Sequence, residues 1–301
     1  MVSSSDFGTG SAQKPSGFGT RMALLIGTNL AVITLFTVVM SVLGIDTQSI
    51  VGLTIFAALF GFGGAFVSLA LSKTIAKRST GAQVIEHPTS EAEQWLLSTV
   101  ARLSLDAGIE MPEVAIFPSD APNAFATGAK RNDSLVAVST GLFRHMNRDE
   151  IEAVLAHEVS HVANGDMVTL TLIQGVVNTF VILLSRILAN IVTSFLTRDR
   201  GGGGFIYFAC VIVLQLVLGV FASIIVMWFS RRREFRADSG AAALTTNAKM
   251  ISALETLEQS TTPAALPDQM EAMGIQKGPG GILGKLISSH PPLEDRIAAL
   301  R

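Results

Sequence analysis

The chain has 301 residues and a mass of 31.8 kDa, which suffices for one large domain or two small ones. Charged residues make up 15% of the chain, against about 25% in ordinary soluble domains, and the mean hydropathy is +0.48. This composition excludes a disordered chain, which needs low hydrophobicity and high net charge. The net charge of −2 provides no basic surplus for binding nucleic acid. A single cysteine, Cys210, excludes a disulfide framework.

Four stretches of the sequence contain no charged residue. A helix needs about 20 predominantly apolar residues to cross a membrane, and all four stretches reach or approach that length. The sequence therefore predicts a mainly α-helical integral membrane protein with four transmembrane helices. The four stretches are Met22–Ile45, Thr47–Ser72, Met167–Ser185 and Gly201–Ser230.

The end of the third stretch allows two interpretations. Arg186 interrupts it before a further apolar segment, Ile187–Thr197. Either the span ends near Arg186, or the helix continues and this side chain reaches the membrane surface or a polar partner.

Basic residues lie mainly on one side of the predicted spans, and the positive-inside rule places that side in the cytoplasm. They are Lys14, Arg21, Lys73, Lys77, Arg78, Arg231, Arg232, Arg233 and Arg236, against Arg198 and Arg200 on the other side, with Arg186 at its edge. Both termini are then cytoplasmic. The predicted organisation is a flexible Ser/Gly-rich tail (1–21), a hairpin (22–72), a polar segment (73–166), a second hairpin (167–230) and a second polar segment (231–301).

The two polar segments together predict a cytoplasmic α+β domain with a small sheet. Helical spacing of apolar residues and alternation with turn residues define the elements. Asn147 and Glu150 form a capping box at the start of one helix. The predicted elements are a helix at Glu91–Ala107, strands at Glu113–Phe117, Asn123–Gly128 and Ser134–Ser139, a helix at Arg148–Ala163, helical structure from residue 231 through about Glu258 and a short helix from Leu293.

The helix at Arg148–Ala163 carries the motif His157-Glu158-Val159-Ser160-His161. Residues four apart lie on one helix face, so both histidines can bind one ion while Glu158 reaches its open position. This is the geometry of a zinc-peptidase site. Two unliganded histidines are the alternative, but the helix does not need them for its apolar face, which already has Ile151, Val154, Leu155 and Val162.

A catalytic zinc ion needs a third protein ligand. Cys210 is a poor candidate because it lies inside the fourth stretch, whereas Glu234 follows that stretch by four residues. One hairpin separates the motif from Glu234, so both lie on the same side of the membrane. Asp238, one turn later, could orient the ligand His157. The alternative for Glu234 is a solvated charge beside neighbouring arginines.

Four segments resemble the HtpX-type membrane metalloproteases, which are relatives of the CAAX prenyl proteases. They are HEVSHVANGD at His157–Asp166, EFRAD at Glu234–Asp238, NAFATG at Asn123–Gly128, and HPP at His290–Pro292. The resemblance extends from about residue 20 to the C terminus.

The resemblance implies a zincin (gluzincin-like) domain in the bacterial inner membrane. It implies that His157, His161 and Glu234 bind one Zn²⁺ per chain and that Glu158 is catalytic. It also implies a stress-linked protease that removes damaged membrane proteins.

Two further sites complete the expected mechanism. His290 is a candidate for stabilising the oxyanion, if the C-terminal segment folds back; otherwise it is a loop residue before two prolines. Similarity to thermolysin-like peptidases makes Asn123 and Ala124 candidates for gripping an extended substrate; otherwise they belong to a buried strand and its turn.

We therefore expect a zinc endopeptidase that acts on membrane proteins or unfolded polypeptides at the cytoplasmic face of the bilayer. One alternative is a prenyl-protein endopeptidase of the CAAX type. The other is a non-enzymatic membrane scaffold or channel with a degenerate site, which would lack a ligand.

Overall fold

The computed structural model describes residues 38, 41, 42, 44, 49–196, 203–259 and 290–301. The predicted tail 1–21 and nearly all of the predicted first span, Met22–Ile45, lie outside these residues. The chain divides after Phe56 into two units. Everything described below belongs to the second unit, Ala57–Arg301, except the start of the first helix.

The described residues form eight helices and four strands. In chain order these are α1 (Ile50–Thr80), β1 (Gln83–Val84), α2 (Glu91–Asp106), β2 (Glu113–Phe117), β3 (Ala124–Lys130), β4 (Asp133–Ser139), α3 (Thr140–His145), α4 (Arg148–Asn164), α5 (Asp166–Leu196), α6 (Gly203–Leu244), α7 (Asn247–Gln259) and α8 (Leu293–Leu300).

Three of the described helices are long and apolar enough to cross a membrane. They are α1, α5 and the part of α6 from Gly204, and they correspond to the second, third and fourth uncharged stretches. Helix α5 continues through Arg186 to Leu196, which agrees with the interpretation in which the helix extends past this residue. The Arg186 side chain is half-buried and hydrogen-bonds to Tyr207 on α6, which supplies the polar partner.

Helix α6 is 42 residues long and combines two environments. Its first part is the uncharged stretch up to Ser230. Its last part, Arg231–Leu244, contains all of the charged residues of the helix. One rigid element therefore connects the apolar region with the polar domain.

The segment from residue 231 is helical to Gln259, close to the predicted end near Glu258, with a break at Thr245 and Thr246 between α6 and α7. The hydroxyl of Thr246 accepts a hydrogen bond from the Lys249 N–H at 3.2 Å. This side-chain cap starts a new helix, because threonine at an N-terminus satisfies a backbone donor that the helix itself leaves unpaired.

The four strands form one mixed sheet in the order β1-β2-β4-β3. Strands β2 and β4 are parallel, while β1–β2 and β3–β4 are antiparallel. The three predicted strands are confirmed, with β3 and β4 somewhat longer than expected. Strand β1 was not predicted, because two residues are too few to show alternation. Strand β3 lies at one edge of the sheet.

Helix α4 lies in the middle of the polar domain, where it contacts α2, α6, α7 and β3. Twelve of its residues are buried, from Glu150 to Val162. Its apolar side chains belong to a core that includes Leu96 of α2, Val136 of β4 and Leu254 of α7. The motif residues are therefore held by packing on several sides, which fixes their positions.

Candidate metal centre

The start of α4 confirms the predicted capping box. The Asn147 side chain accepts from the Glu150 N–H at 3.0 Å, and the Glu150 carboxylate accepts from the Asn147 N–H at 3.0 Å. Glu150 also accepts hydrogen bonds from Ser252 and Thr256 of α7, each at 2.8 Å. This network anchors the helix that presents the motif.

The two motif histidines and Glu234 converge on one point. The Nε2 atoms of His157 and His161 are 3.1 Å apart. The Glu234 carboxylate lies 3.5 Å from His157 Nε2 through Oε2, and 3.4 Å from His161 Nε2 through Oε1. All three side chains are buried. These are the residues whose ligand atoms could hold a metal ion.

This donor set fits a zinc ion. Ligand atoms about 2.0–2.2 Å from a tetrahedral zinc lie about 3.3–3.6 Å from one another, and the observed separations are close to that range. Within the described part of the chain, Oε1 of Glu234 is buried without a hydrogen-bond donor. A buried carboxylate oxygen that lacks a donor is costly, and a bound cation would satisfy it.

Each histidine has a carboxylate on its other ring nitrogen. Nδ1 of His157 lies 2.9 Å from Asp238 Oδ1, and Nδ1 of His161 lies 2.6 Å from Asp166 Oδ2. Because a carboxylate only accepts, both Nδ1 atoms carry the proton and both Nε2 atoms face the centre. The Asp238 contact is the one expected from the sequence.

Asp166 was not predicted as a partner of the metal site, although the sequence contains a signal for it. Gly165 ends α4 in the left-handed conformation, with φ of 68°, and α5 begins at the next residue. A glycine cap turns the chain back over the last helical turn, so an acidic residue directly after it lies near His161.

Arg296 of α8 was also missed. It is fully buried and donates to both oxygens of Asp238, from Nε at 2.8 Å and from Nη2 at 2.6 Å. Its Nη1 lies 3.7 Å from Glu234 Oε2. The signal was the spacing of Leu293, Ile297 and Leu300, which defines a buried face that includes Arg296.

His290 is buried, with Nδ1 2.8 Å from Glu234 Oε2. The C-terminal segment does fold back onto the metal centre, which was the condition for the proposed oxyanion role. The observed contact makes His290 a partner of Glu234, and the oxyanion role stays a prediction.

Glu158 is buried next to the two histidines on α4. Burial raises the pKa of its carboxyl group, and the neighbouring His157 and His161 only partly oppose this shift. A carboxylate whose pKa is moved toward neutrality is suited to accept and return a proton at physiological pH.

Burial lowers the pKa of His157, but hydrogen bonds to Asp238 and Glu234 outweigh it and raise the pKa to about 9. The pKa of His161 is also raised, since the charge of Glu234 and the hydrogen bond to Asp166 outweigh its burial. Metal binding at this centre therefore competes with protonation of the two histidines.

The helices α4 and α6 approach closely beside the centre. A Cβ atom added at Gly240 would lie 2.6 Å from Ser160 Oγ and 2.9 Å from Ser160 Cβ. The absence of a side chain at Gly240 therefore allows the spacing between His161 and Glu234.

Asn123 and Ala124 lie at the start of the edge strand β3, and both are buried. The Asn123 N–H donates to Ser139 Oγ at 2.9 Å, and the Asn123 carbonyl accepts from the Ser139 N–H at 2.9 Å. Burial agrees with the simple structural interpretation. The edge position leaves β3 with no further strand beside it among the described residues. This agrees with the interpretation in which Asn123 and Ala124 bind an extended substrate.

Comparison with known proteins identifies the family. The model of peptidase family M48 matches residues 90–301. A Protease HtpX homolog of Desulfotalea psychrophila is 58% identical over 283 residues, covering 93% of this chain and 98% of that protein. Protease HtpX of Stenotrophomonas maltophilia is 57% identical over 284 residues, covering 94% and 98%. The predicted resemblance is confirmed.

The crystal structure of S. mikatae Ste24p has a similar fold, with a TM-score of 0.62 at 18% sequence identity. The alignment covers 94% of this chain and 64% of that one. The family model, the relatives and the His/His/Glu geometry agree. The chain therefore belongs to peptidase family M48 and is a metallopeptidase, an enzyme that hydrolyses peptide bonds.

Proposed function

We propose that the chain is a zinc-dependent endopeptidase that cleaves misfolded or damaged membrane proteins at the cytoplasmic face of the bacterial inner membrane. The observation that carries this proposal is the convergence of His157, His161 and Glu234 beside Glu158, within a chain that has membrane-length helices. One Zn²⁺ per chain would be held by these three ligands.

The surrounding residues support that metal site. Asp238 and Asp166 orient the two histidines so that each Nε2 faces the centre. Arg296 neutralises the buried charge of Asp238 and holds its carboxylate in place. The bound zinc would supply a Lewis acid that lowers the pKa of a coordinated water to about 7.

Glu158 is the general base and acid of the proposed reaction. Its carboxylate accepts a proton from the attacking water and donates it to the amine of the leaving product. The result is addition of one water across one peptide bond. His290, held by Glu234, is the proposed donor to the oxyanion that forms on the peptide carbonyl.

We propose that the substrate binds in an extended conformation along β3, with Asn123 and Ala124 at one end. The position of β3 at the sheet edge supports this arrangement, since main-chain hydrogen bonds to an edge strand give affinity with little sequence preference. Such a binding mode suits a protease that accepts many unfolded polypeptides.

The proposed preference for membrane proteins follows from connectivity. Gly165 alone joins α4 to the apolar helix α5, and Glu234 lies one turn past the apolar part of α6. The proposed active site is then close to the membrane surface, and the basic residues beside it support the cytoplasmic orientation.

The alternative of a degenerate scaffold predicts a missing ligand, whereas all three candidate ligands and Glu158 are present and close together. The alternative of a prenyl-protein endopeptidase predicts cleavage of a farnesylated peptide. A parallel assay with that peptide and with an unfolded protein distinguishes the two substrate classes.

The proposal is tested with Glu158→Gln in detergent-purified protein. We expect zinc content to be unchanged and cleavage of an unfolded protein substrate to be lost. Glu152→Gln on the same helix is the matched control, because Glu152 only pairs with Arg102 and Lys249 at the surface, and we expect it to retain activity. Undiminished cleavage by Glu158→Gln would refute the assigned base. Stoichiometric zinc in Glu234→Ala would refute the third ligand.

A further inference from the structure

A cleft of 170 Å³ lies between the start of α5 and the end of the apolar part of α6. Three arginines line it, Arg232, Arg233 and Arg236, together with the apolar residues Leu170, Ile173 and Phe229. We call it the arginine cleft. None of the proposed catalytic steps uses it.

The cleft has a strong positive charge. Its one acidic lining residue is Asp166, whose carboxylate already binds His161. The guanidinium carbon of Arg232 lies over the Trp228 ring, 4.7 Å from the ring centre. Neither Arg232 nor Arg236 forms an ion pair with a carboxylate in the described ranges. Two exposed guanidinium groups one turn apart are therefore available to one anion.

The cleft also crosses a polarity boundary. Phe229, at the apolar end, and Arg236, at the polar end, are about 10 Å apart along α6 at 1.5 Å per residue. Leu170 and Ile173 of α5 continue the apolar side. A ligand that fits this arrangement has a negative group beside an apolar chain, which is the chemistry of an anionic lipid.

The size of the cleft favours a headgroup over a peptide segment. Pockets for drug-sized ligands measure about 300–1,000 Å³, and the cleft has 170 Å³. This space accommodates a phosphodiester, while the acyl chains would lie outside it along the exposed apolar faces of the helices. Basic pockets between transmembrane helices on the cytoplasmic side bind phospholipid headgroups in this way.

We propose that the arginine cleft binds the phosphate headgroup of an anionic glycerophospholipid from the cytoplasmic leaflet. This inference rests on the membrane embedding proposed above and not on the protease activity. The cleft shares Asp166 with the metal centre, and Arg233 lies 3.6 Å from Glu234 through its Nε atom. The bound lipid would therefore hold the active site at a fixed depth at the membrane surface.

The experiment uses Trp228, one turn before Arg232, as a fluorescent probe. The chain has two tryptophans, so Trp95→Phe leaves Trp228 alone. The full-length protein is reconstituted into phosphatidylcholine bilayers that contain brominated phosphatidylglycerol or, at equal molar fraction, brominated phosphatidylcholine. We expect stronger quenching by the anionic lipid.

The test variant is Arg232→Gln with Arg236→Gln. We expect it to lower the relative affinity for phosphatidylglycerol by about 100-fold, since each charge-assisted hydrogen bond to the bound phosphate contributes about tenfold. The matched control is Arg78→Gln with Arg231→Gln. It removes the same charge outside the cleft, and we expect it to keep the preference nearly unchanged.

Four results would overturn the proposal. The first is equal quenching by both lipids, and the second is an equal loss of preference in both double variants, which would indicate a general basic belt. The third is displacement of the anionic lipid by inorganic phosphate, which would indicate a site for a soluble anion. A raised KM for protein cleavage in the test variant, without a change in quenching, would assign the cleft to substrate instead. The quenching assay works equally in Glu158→Gln, so it can fail or succeed independently of the proposed protease mechanism.

Discussion

Arg296 donates two hydrogen bonds to Asp238, at 2.8 and 2.6 Å, and both side chains are buried. Asp238 in turn lies 2.9 Å from Nδ1 of His157. The last helix of the chain is thereby connected to a proposed metal ligand 139 positions earlier. The first two predictions test what this connection contributes.

Replacing Arg296 should impair both stability and metal binding. Arg296→Met leaves the Asp238 charge buried without its partner, and breaking a buried pair in this way costs about 3–5 kcal/mol. We expect lower zinc content and a lower unfolding temperature in detergent. Arg296→Lys keeps the charge but loses the two-point contact, so its loss should be intermediate. Arg301→Gln, which removes an exposed pair with Glu255, should resemble the wild type. Equal effects of Arg296→Met and Arg301→Gln would contradict the role assigned to Arg296.

The two carboxylates behind the histidines should each tune metal affinity. We expect Asp238→Asn and Asp166→Asn to weaken zinc binding about 10–100-fold, because the orienting partners of ligand histidines typically contribute that much. Competition with a chelator of known affinity measures the change. Asp295→Asn, an exposed position on α8, serves as the control. Wild-type affinity in both aspartate variants would show that packing alone orients the rings.

Metal binding should depend on pH in a defined window. Burial opposes protonation of His157, but its hydrogen bonds to Asp238 and Glu234 raise its pKa to about 9 in the metal-free protein, against an ordinary value of 6.5. A proton must therefore leave when the metal binds below pH 9. We expect zinc affinity to increase with pH up to about 9 and then to level off.

The same shift acts on stability with the opposite sign. The raised pKa of His157 stabilises the folded metal-free protein fully below about pH 6.5, and this contribution is lost as the pH rises through 9.

The protons released when zinc binds are measured directly by calorimetric titrations in two buffers of different ionisation enthalpy. Zinc binding without proton release at pH 7 would contradict this assignment.

Gly240 should control the distance between α4 and α6. Gly240→Ala places a Cβ atom 2.6 Å from Ser160 Oγ, so the helices must move apart and shift Glu234 relative to His161. We expect reduced zinc affinity and activity despite the higher helix propensity of alanine. Adding Ser160→Gly removes the clash and should restore part of both, whereas failure of this rescue would show that the spacing is not limiting. Gly204→Ala, which meets no neighbouring atom, is the control.

Several features could be predicted because they are local in sequence. The capping box at Asn147 and the four-residue spacing of His157 and His161 depend on the geometry of one helix, and the structure has both. The uncharged stretches likewise predict membrane-length helices from length and composition alone, and three are seen among the described residues. Glu234 was a candidate from chain order, since one hairpin returns the chain to the same side.

Other features depend on contacts between distant segments. Arg296 and His290 reach the centre only because residues 290–301, which include α8, pack against α6. The short strand β1 exists through its pairing with β2, and the arginine cleft exists only between two helices.

The amino-acid sequence by itself determined the chemistry of this protein: a His-Glu-x-x-His helix, a downstream glutamate and long apolar segments. Each of these is encoded within one helix turn or one continuous stretch. The tertiary structure decided which side chains surround that chemistry, because a buried charge such as Asp238 requires a partner that any segment can supply. Spacing within a helix is fixed by local geometry, whereas the identity of that partner is fixed by packing.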